Sequence, residues 1–191
     1  MKPKIDSLES KRMLLEIREE SHAAELYPLY CEKDLYHYTT RDIPISIDWL
    51  AGQFKLTKSL VSPDGKAIWL TWIGRDKATQ IPVGAFEMTV VNNEAFIGYT
   101  IFKCFWGKGM AVEAVQTILE YMNTHYNIPR FIIEMDTRNR ASIRVAEKVG
   151  FEFVKVKNNA AFIKNFVSHE FQFQKLNPGV NESTLQVLKS F

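Results

Sequence analysis

The spacing of apolar residues changes period several times along the chain, and each change marks an element. Residues 109–123 give the clearest helix. Ala111, Val115, Ile118, Leu119 and Met122 fall at i, i+4, i+7, i+8 and i+11 and make one apolar stripe. Pro129 blocks its continuation. Residues 22–38 carry helical spacing at Ala23, Leu26, Leu29 and Tyr30, with Pro28 inside the pattern, where it kinks or splits the helix. Residues 46–60 set Ile47, Leu50, Phe54 and Leu56 roughly on one side and read as a second helix. Residues 141–149 form a short helix, with Gly150 at the position that usually ends one.

Shorter runs read as strands. Residues 12–17 supply the first. Pro63, Asp64 and Gly65 mark a turn, after which residues 67–73, 82–91 and 94–102 are separated only by a polar hairpin at 74–80 and a turn at 91–93. Three strands so close in sequence predict an antiparallel meander. Residues 130–136, 151–156 and 162–173 complete the sheet. The expectation is an α+β fold: one domain over residues 12–175, with a central mixed, mostly antiparallel sheet flanked by helices. Residues 176–191, with Asn-Pro-Gly near their start, read as a C-terminal tail.

Composition narrows the classes of function. The 191 residues are 46% hydrophobic and 24% charged, ordinary for a globular chain and unlike a disordered one. A formal charge of +2 gives no electrostatic footprint for nucleic acid. Cys31 and Cys104 are isolated, with no CxxC or Cys/His cluster, so no metal site is expected and reduced thiols are the simplest reading. The first 18 residues mix charge throughout and lack the apolar core of a signal peptide, and nothing approaches a membrane span. A cytoplasmic protein without nucleic-acid or membrane partners is expected, its oligomeric state open.

The candidate chemistry lies in residues 97–111, I-G-Y-T-I-F-K-C-F-W-G-K-G-M-A, which run from a strand through a glycine turn into the strongest helix. Without Cβ atoms, Gly107 and Gly109 let the backbone take unusual angles and approach a ligand closely. The unpaired N–H groups of the next helical turn, with the helix dipole, then suit a diphosphate, and Lys108 adds a positive charge. The glycine pair equally suits a plain strand-to-helix turn. It is not a P-loop, since the Lys-Ser/Thr ending is missing. It is not a dinucleotide fingerprint, since Val112 stands where a third glycine would be needed.

W-G-K-G-M-A followed by V-E-A-V resembles the coenzyme A signature Q/R-x-x-G-x-G/A of the GNAT superfamily of N-acetyltransferases. Gly109 and Ala111 match its last two fixed positions; Trp106 replaces Gln/Arg and resembles the branch that acetylates the N-termini of ribosomal proteins. A second block, residues 136–151, resembles the family's strand, N-x-x-S and helix ending in Gly-Phe, with Asn139 and Ser142 at the N-x-x-S positions. Asn139 also has the right place to cap the helix, and the two readings are compatible.

The resemblance implies acetyl-CoA as cosubstrate and a primary amine, on a protein N-terminus or a small molecule, as acceptor. It implies a diphosphate held by the N–H groups around Trp106, Gly107, Lys108, Gly109, Met110 and Ala111. It implies a pantetheine arm along the strand of Tyr99 and Ile101, whose backbone contacts the thioester oxygen, and Asn139 and Ser142 near the arm or thiol, with Ser142 as partner of the departing thiolate. An amine of pKa about 8 (α-amino) or about 10 (lysine) must lose a proton before it attacks. Glu87, in the run A-F-E-M-T-V, is the first candidate base, on the expectation that an apolar setting raises its pKa; Glu134, in F-I-I-E-M-D, is the second. Either carboxylate equally suits a solvated strand face. Residues 27–40 and 43–56 are expected to wall the acceptor cleft, with Tyr30, Tyr36, Tyr38 and Trp49 as pocket or core aromatics. Two alternatives stand beside the transferase: a non-catalytic acyl-CoA-binding regulatory module, and a phosphate-binding domain unrelated to coenzyme A.

Overall fold

The structure, a computed structural model, describes residues 3–126 and 128–177. Among these, eight strands form one sheet: β1 (Leu8–Glu9), β2 (Met13–Ile17), β3 (Ile68–Asp76), β4 (Pro82–Val91), β5 (Glu94–Ile101), β6 (Arg130–Asp136), β7 (Glu152–Ile163) and β8 (Phe166–Leu176), in the order β1-β2-β3-β4-β5-β6-β8-β7. Every neighbouring pair is antiparallel except β5 with β6. The helices are α1 (Ala23–Tyr30), α2 (Ile47–Leu56), α3 (Met110–His125) and α4 (Arg140–Val149). The α+β architecture with a mostly antiparallel mixed sheet is therefore the one the sequence predicts.

Alternation along the strands sends side chains to two separate cores. Trp72, Phe86, Met88 and Ile97 pack with α3 and α4, and Val115, Ile118, Leu119 and Met122 of the predicted α3 stripe are buried there. Ile73, Ala85 and Phe102 pack on the opposite face with Leu26 of α1 and with Leu50 and Phe54 of α2. Each such fully buried side chain contributes about 2 kcal/mol of transfer free energy. The sheet is thus covered on both faces, and anything bound through a gap in it meets α3 and α4 on one side and α1 and α2 on the other.

Several boundaries differ from expectation, each for a local reason. The helix of residues 22–38 does not break at Pro28; α1 runs on to Tyr30, Cys31 N–H bonds back to the Tyr27 and Pro28 carbonyls, and a separate short turn follows at Lys33–Tyr36. Ser46 caps α2 by accepting the Trp49 N–H, and α2 stops at Leu56 rather than residue 60. Strand β3 continues to Asp76, so the polar hairpin is shorter. The last two strands are one long hairpin turned at Lys164–Asn165, both at positive φ, and not the shorter runs 151–156 and 162–173. Strand β7 is a sheet edge, largely exposed and interrupted by register shifts, so no alternation marks its outer half. Leu8–Glu9 is too short to leave a pattern. Of the expected tail, residues 178–191 lie outside the described residues.

Candidate active site

The site begins where the sheet splits. Strands β5 and β6 pair only from Glu94–Phe96 to Arg130–Ile132 and then separate. Phe102 N–H donates to the Val83 carbonyl at 2.9 Å. Antiparallel alternation therefore turns the peptide groups of Tyr99 and Ile101 away from β4, toward the gap. The Ile101 carbonyl does face that way, because it accepts Trp106 Nε1 at 2.6 Å. A cleft of about 1380 Å³ occupies the gap and reaches both faces of the sheet.

At one end of the cleft lies the start of α3. Gly107 and Gly109 have φ of 73° and 75°, left-handed backbone that strains any residue with a Cβ. Gly109 is the N-cap and brings no capping side chain. The first helical bond runs from Glu113 N–H to the Gly109 carbonyl at 3.2 Å, so the N–H groups of Met110, Ala111 and Val112 have no partner within the helix. Gly107, Gly109 and these three residues line the cleft, as does Trp106. Lys108 does not. Its ammonium sits 5.2 Å from the Phe105 ring centroid, so the added charge expected there is turned toward an aromatic face.

Three residues that sequence reasoning missed, Ser10, Arg12 and Glu113, hold this turn. Arg12 donates to the Lys108 carbonyl at 2.9 Å and, through Nε and its own backbone N–H, to Glu113 at 2.6 Å each; Ser10 adds a bond to Glu113 at 2.7 Å. Burial raises the Glu113 pKa, but the Ser10 and Arg12 hydrogen bonds outweigh it and hold the carboxyl below its ordinary range. Arg12 and Glu113 are 101 positions apart, so no local pattern announces the pair.

In the middle, Asn139 does cap α4: its Oδ1 accepts the Ser142 N–H at 3.1 Å. Asn139 and Ser142 both line the cleft beside Tyr99 and Ile101. The Tyr99 hydroxyl is buried without a hydrogen-bond partner. Burial pushes its pKa up to about 12, and the neighbouring Ser142 hydroxyl offsets part of that shift without completing hydrogen-bond geometry. Tyr99 is therefore a protonated donor at neutral pH.

The other end corrects an expectation. Glu87 faces the cleft from the α1–α2 side, opposite Gly98 in register, but its setting is not apolar. Arg41 grips both its oxygens at 3.0 Å each, and Arg18 Nη1 stands 3.6 Å from one of them. Burial alone would raise the Glu87 pKa; the Arg41 hydrogen bonds and charge, followed by Arg18, reverse the sign and hold it below the ordinary value. Glu134 also lines the cleft and is bound by Lys157 at 2.5 Å and Gln172 at 2.6 Å. Tyr30, Tyr36, Tyr38 and Trp49 all line the cleft, the pocket reading of the two that the sequence left open. Among the residues proposed from sequence, Lys108 alone does not line the cleft.

A split parallel pair beside an uncapped helix start defines the class. Residues 12–152 match the family model described as an acetyltransferase (GNAT) domain, and the chain belongs to that family. Curated relatives include the uncharacterized N-acetyltransferase C18E5.08 of Schizosaccharomyces pombe, 32% identical over 104 residues, 54% of this chain and 49% of that one. They also include the probable N-acetyltransferase YjcK of Bacillus subtilis, 40% identical over 79 residues, 41% of this chain and 40% of that one. The chain spans about half the length of the curated relatives it matches. Among solved structures, the ribosomal L7/L12 α-N-protein acetyltransferase RimL in complex with coenzyme A superposes with a TM-score of 0.80 at 18% identity, covering 90% of this chain and 98% of that one. The ribosomal-protein-S5-alanine acetyltransferase of Vibrio fischeri gives 0.77 at 17%, covering 93% and 100%. At such identities the likeness is one of fold. Among the described residues, no helix is long and apolar enough to cross a membrane.

Proposed function

We propose that the chain is an acetyl-CoA-dependent N-acetyltransferase whose acceptor is a primary amine, on a protein N-terminus or a small molecule, and that residues 12–175 form the working unit. The observation that carries this reading is the row of N–H groups at the start of α3 without a partner within the helix, set beside a gap in the sheet toward which the peptide groups of Tyr99 and Ile101 turn. That row fits a diphosphate: it offers donors and a helix dipole, and no atom lies within 4 Å of where a side chain at Gly107 would begin.

Acetyl-CoA supplies an acyl group activated as a thioester. The residues of this chain then have separate tasks. The N–H groups of Gly107 and of residues 109–112 anchor the diphosphate, and those of Tyr99 and Ile101 stabilise negative charge on the thioester oxygen. Ser142, with the protonated Tyr99 hydroxyl beside it, donates to the departing sulfur, a thiolate whose conjugate thiol ordinarily titrates near about 8.5. Glu87 stays ionised at neutral pH and holds the acceptor's ammonium at the cleft; its lowered pKa makes it a weak base, so the amine passes its proton to water.

The test is release of free thiol from acetyl-CoA in the presence of a panel of primary amines, with the acetylated product identified by mass. Transfer to at least one amine is expected. Tight acetyl-CoA binding with no transfer to any amine would favour the regulatory module instead, and binding of ATP without coenzyme A would favour the phosphate-binding domain.

A further inference from the structure

Arg18 is a cation with too few partners. Its side chain is 8% exposed, yet it lines the cleft. The guanidinium rests 4.7 Å from the Phe54 ring centroid. Its one hydrogen bond goes to Thr57 Oγ1 at 3.3 Å, Glu87 stands beyond hydrogen-bond length at 3.6 Å, and Nε is buried with no partner. A guanidinium carries five N–H donors, and a buried charge left this incompletely bonded is costly unless a further acceptor completes it.

Glu87 is not that acceptor in this geometry, because it pairs with Arg41 through both oxygens and stands 3.6 Å from Arg18 Nη1, beyond hydrogen-bond length. Other acids on the wall do not fill the role. Asp34 is bound to Lys103 at 2.6 Å, and Asp42 is exposed without an ion pair among the described residues. Two guanidinium groups therefore face one carboxylate at the end of the cleft away from α3. Arg41 is 64% exposed and free to turn one edge toward a ligand while keeping Glu87. A planar fork of this kind matches a carboxylate.

We infer that Arg18 and Arg41 bind a carboxylate of the acceptor, so that the preferred acceptor is a primary amine bearing a carboxylate, its ammonium beside Glu87. Aromatic walls at Tyr30 and Trp49 suit an acceptor with an apolar body. The inference rests on the proposed transferase reading and adds the chemical class of its acceptor. The carboxylate has two sources, the α-carboxylate of a free amino acid or an acidic side chain beside a peptide's free N-terminus.

The experiment compares matched pairs: L-phenylalanine with L-phenylalaninamide, and an amidated tripeptide beginning with glutamate with one beginning with glutamine. For the wild type, kcat/KM is expected to be at least about tenfold higher for the carboxylate member of one pair, and that pair names the source. Arg18→Gln is expected to bring that ratio close to one. Arg41→Gln, at an exposed position, is expected to lower it as well and gives the answer if Arg18→Gln does not fold. Equal kcat/KM within both pairs, or a preference that survives both substitutions, overturns the inference. Calorimetric titration of the same four probes into the CoA-saturated protein separates the two readings. Carboxylate-selective binding without acetyl transfer removes the transferase reading and keeps this one; transfer without selectivity does the reverse; no binding and no transfer for all four overturns this inference.

Discussion

At the α3 end of the cleft the donors are backbone N–H groups from one short stretch, Gly107 and residues 109–112, and their direction follows from two glycines at positive φ. At the other end the polar groups are side chains from three separate segments. Arg18 follows β2, Arg41 sits in the loop before α2, and Glu87 is in β4. The first end can bind any ligand with the right anion, because its chemistry is that of the peptide unit. The second can be retuned by exchanging one side chain. A family that keeps one cosubstrate and varies its acceptor is expected to divide its cleft in this way.

The largest effect that tests this division is expected from Gly109→Glu. It places a Cβ on left-handed backbone and a negative charge among the diphosphate donors. Acetyl-CoA affinity measured by calorimetry is expected to fall at least about a hundredfold, or ~2.7 kcal/mol, while Gly109→Ala reports the strain alone. Unchanged affinity in folded Gly109→Glu protein would erase the distinction between the two ends.

Next comes Glu87→Gln, with a loss of roughly tenfold to a hundredfold in kcat/KM for the acceptor and little change in acetyl-CoA affinity. The pH dependence fixes its role. The folded pKa of Glu87 lies below its ordinary 4.5, so the carboxylate is ionised throughout the neutral range. Its contribution to stability is full above the unfolded value and is lost as pH falls through the folded one. The rate deficit of Glu87→Gln is therefore expected to be constant between about pH 6 and 9. A deficit that shrinks as pH rises would return Glu87 to the role of general base.

Ser142→Ala is expected to lower kcat by about fivefold to tenfold with acetyl-CoA affinity retained, since negative charge on sulfur develops only during reaction. Tyr99→Phe should act on the same step, and the double variant should lose less than the product of the two. Rapid-quench measurement of the acyl-transfer step checks both; multiplicative losses would separate the two hydroxyls. The smallest effect is expected from Arg12→Ala. Arg12 is 43% exposed, and an exposed ion pair contributes about 1 kcal/mol or less, so acetyl-CoA affinity should fall only a few-fold.

The contrast between the ends also explains what is legible in the sequence. Gly107, Gly109 and the stripe of α3 announce their structure within one segment, and so do Asn139 and Ser142, because an N-cap and its third residue on are local. The strands β4 and β6 are legible to the residue because both alternate or run apolar between clear turns. Glu87 is legible as a carboxylate on a cleft strand, but its chemistry is not. Its neighbours in sequence are mostly apolar, while the two groups that decide its pKa come from the end of β2 and the loop before α2. Arg12, Arg18 and Arg41 leave no local signal, since a lone arginine beside a strand or in a loop looks like any solvated residue. Residue spacing encodes periodic packing and backbone turns; it does not encode which distant side chains converge.

The proposed function puts the diphosphate at the α3 turn, and one comparison of two thioesters tests that position. Acetyl-CoA and S-acetylpantetheine, which has the same thioester and arm but neither the diphosphate nor the 3′-phosphoadenosine beyond it, are titrated calorimetrically into the wild type and Gly109→Glu. The wild type is expected to bind acetyl-CoA at least about a hundredfold more tightly than the truncated thioester, and Gly109→Glu is expected to bind the two with nearly equal affinity. A hundredfold gap that persists in folded Gly109→Glu would place the diphosphate elsewhere and contradict the account.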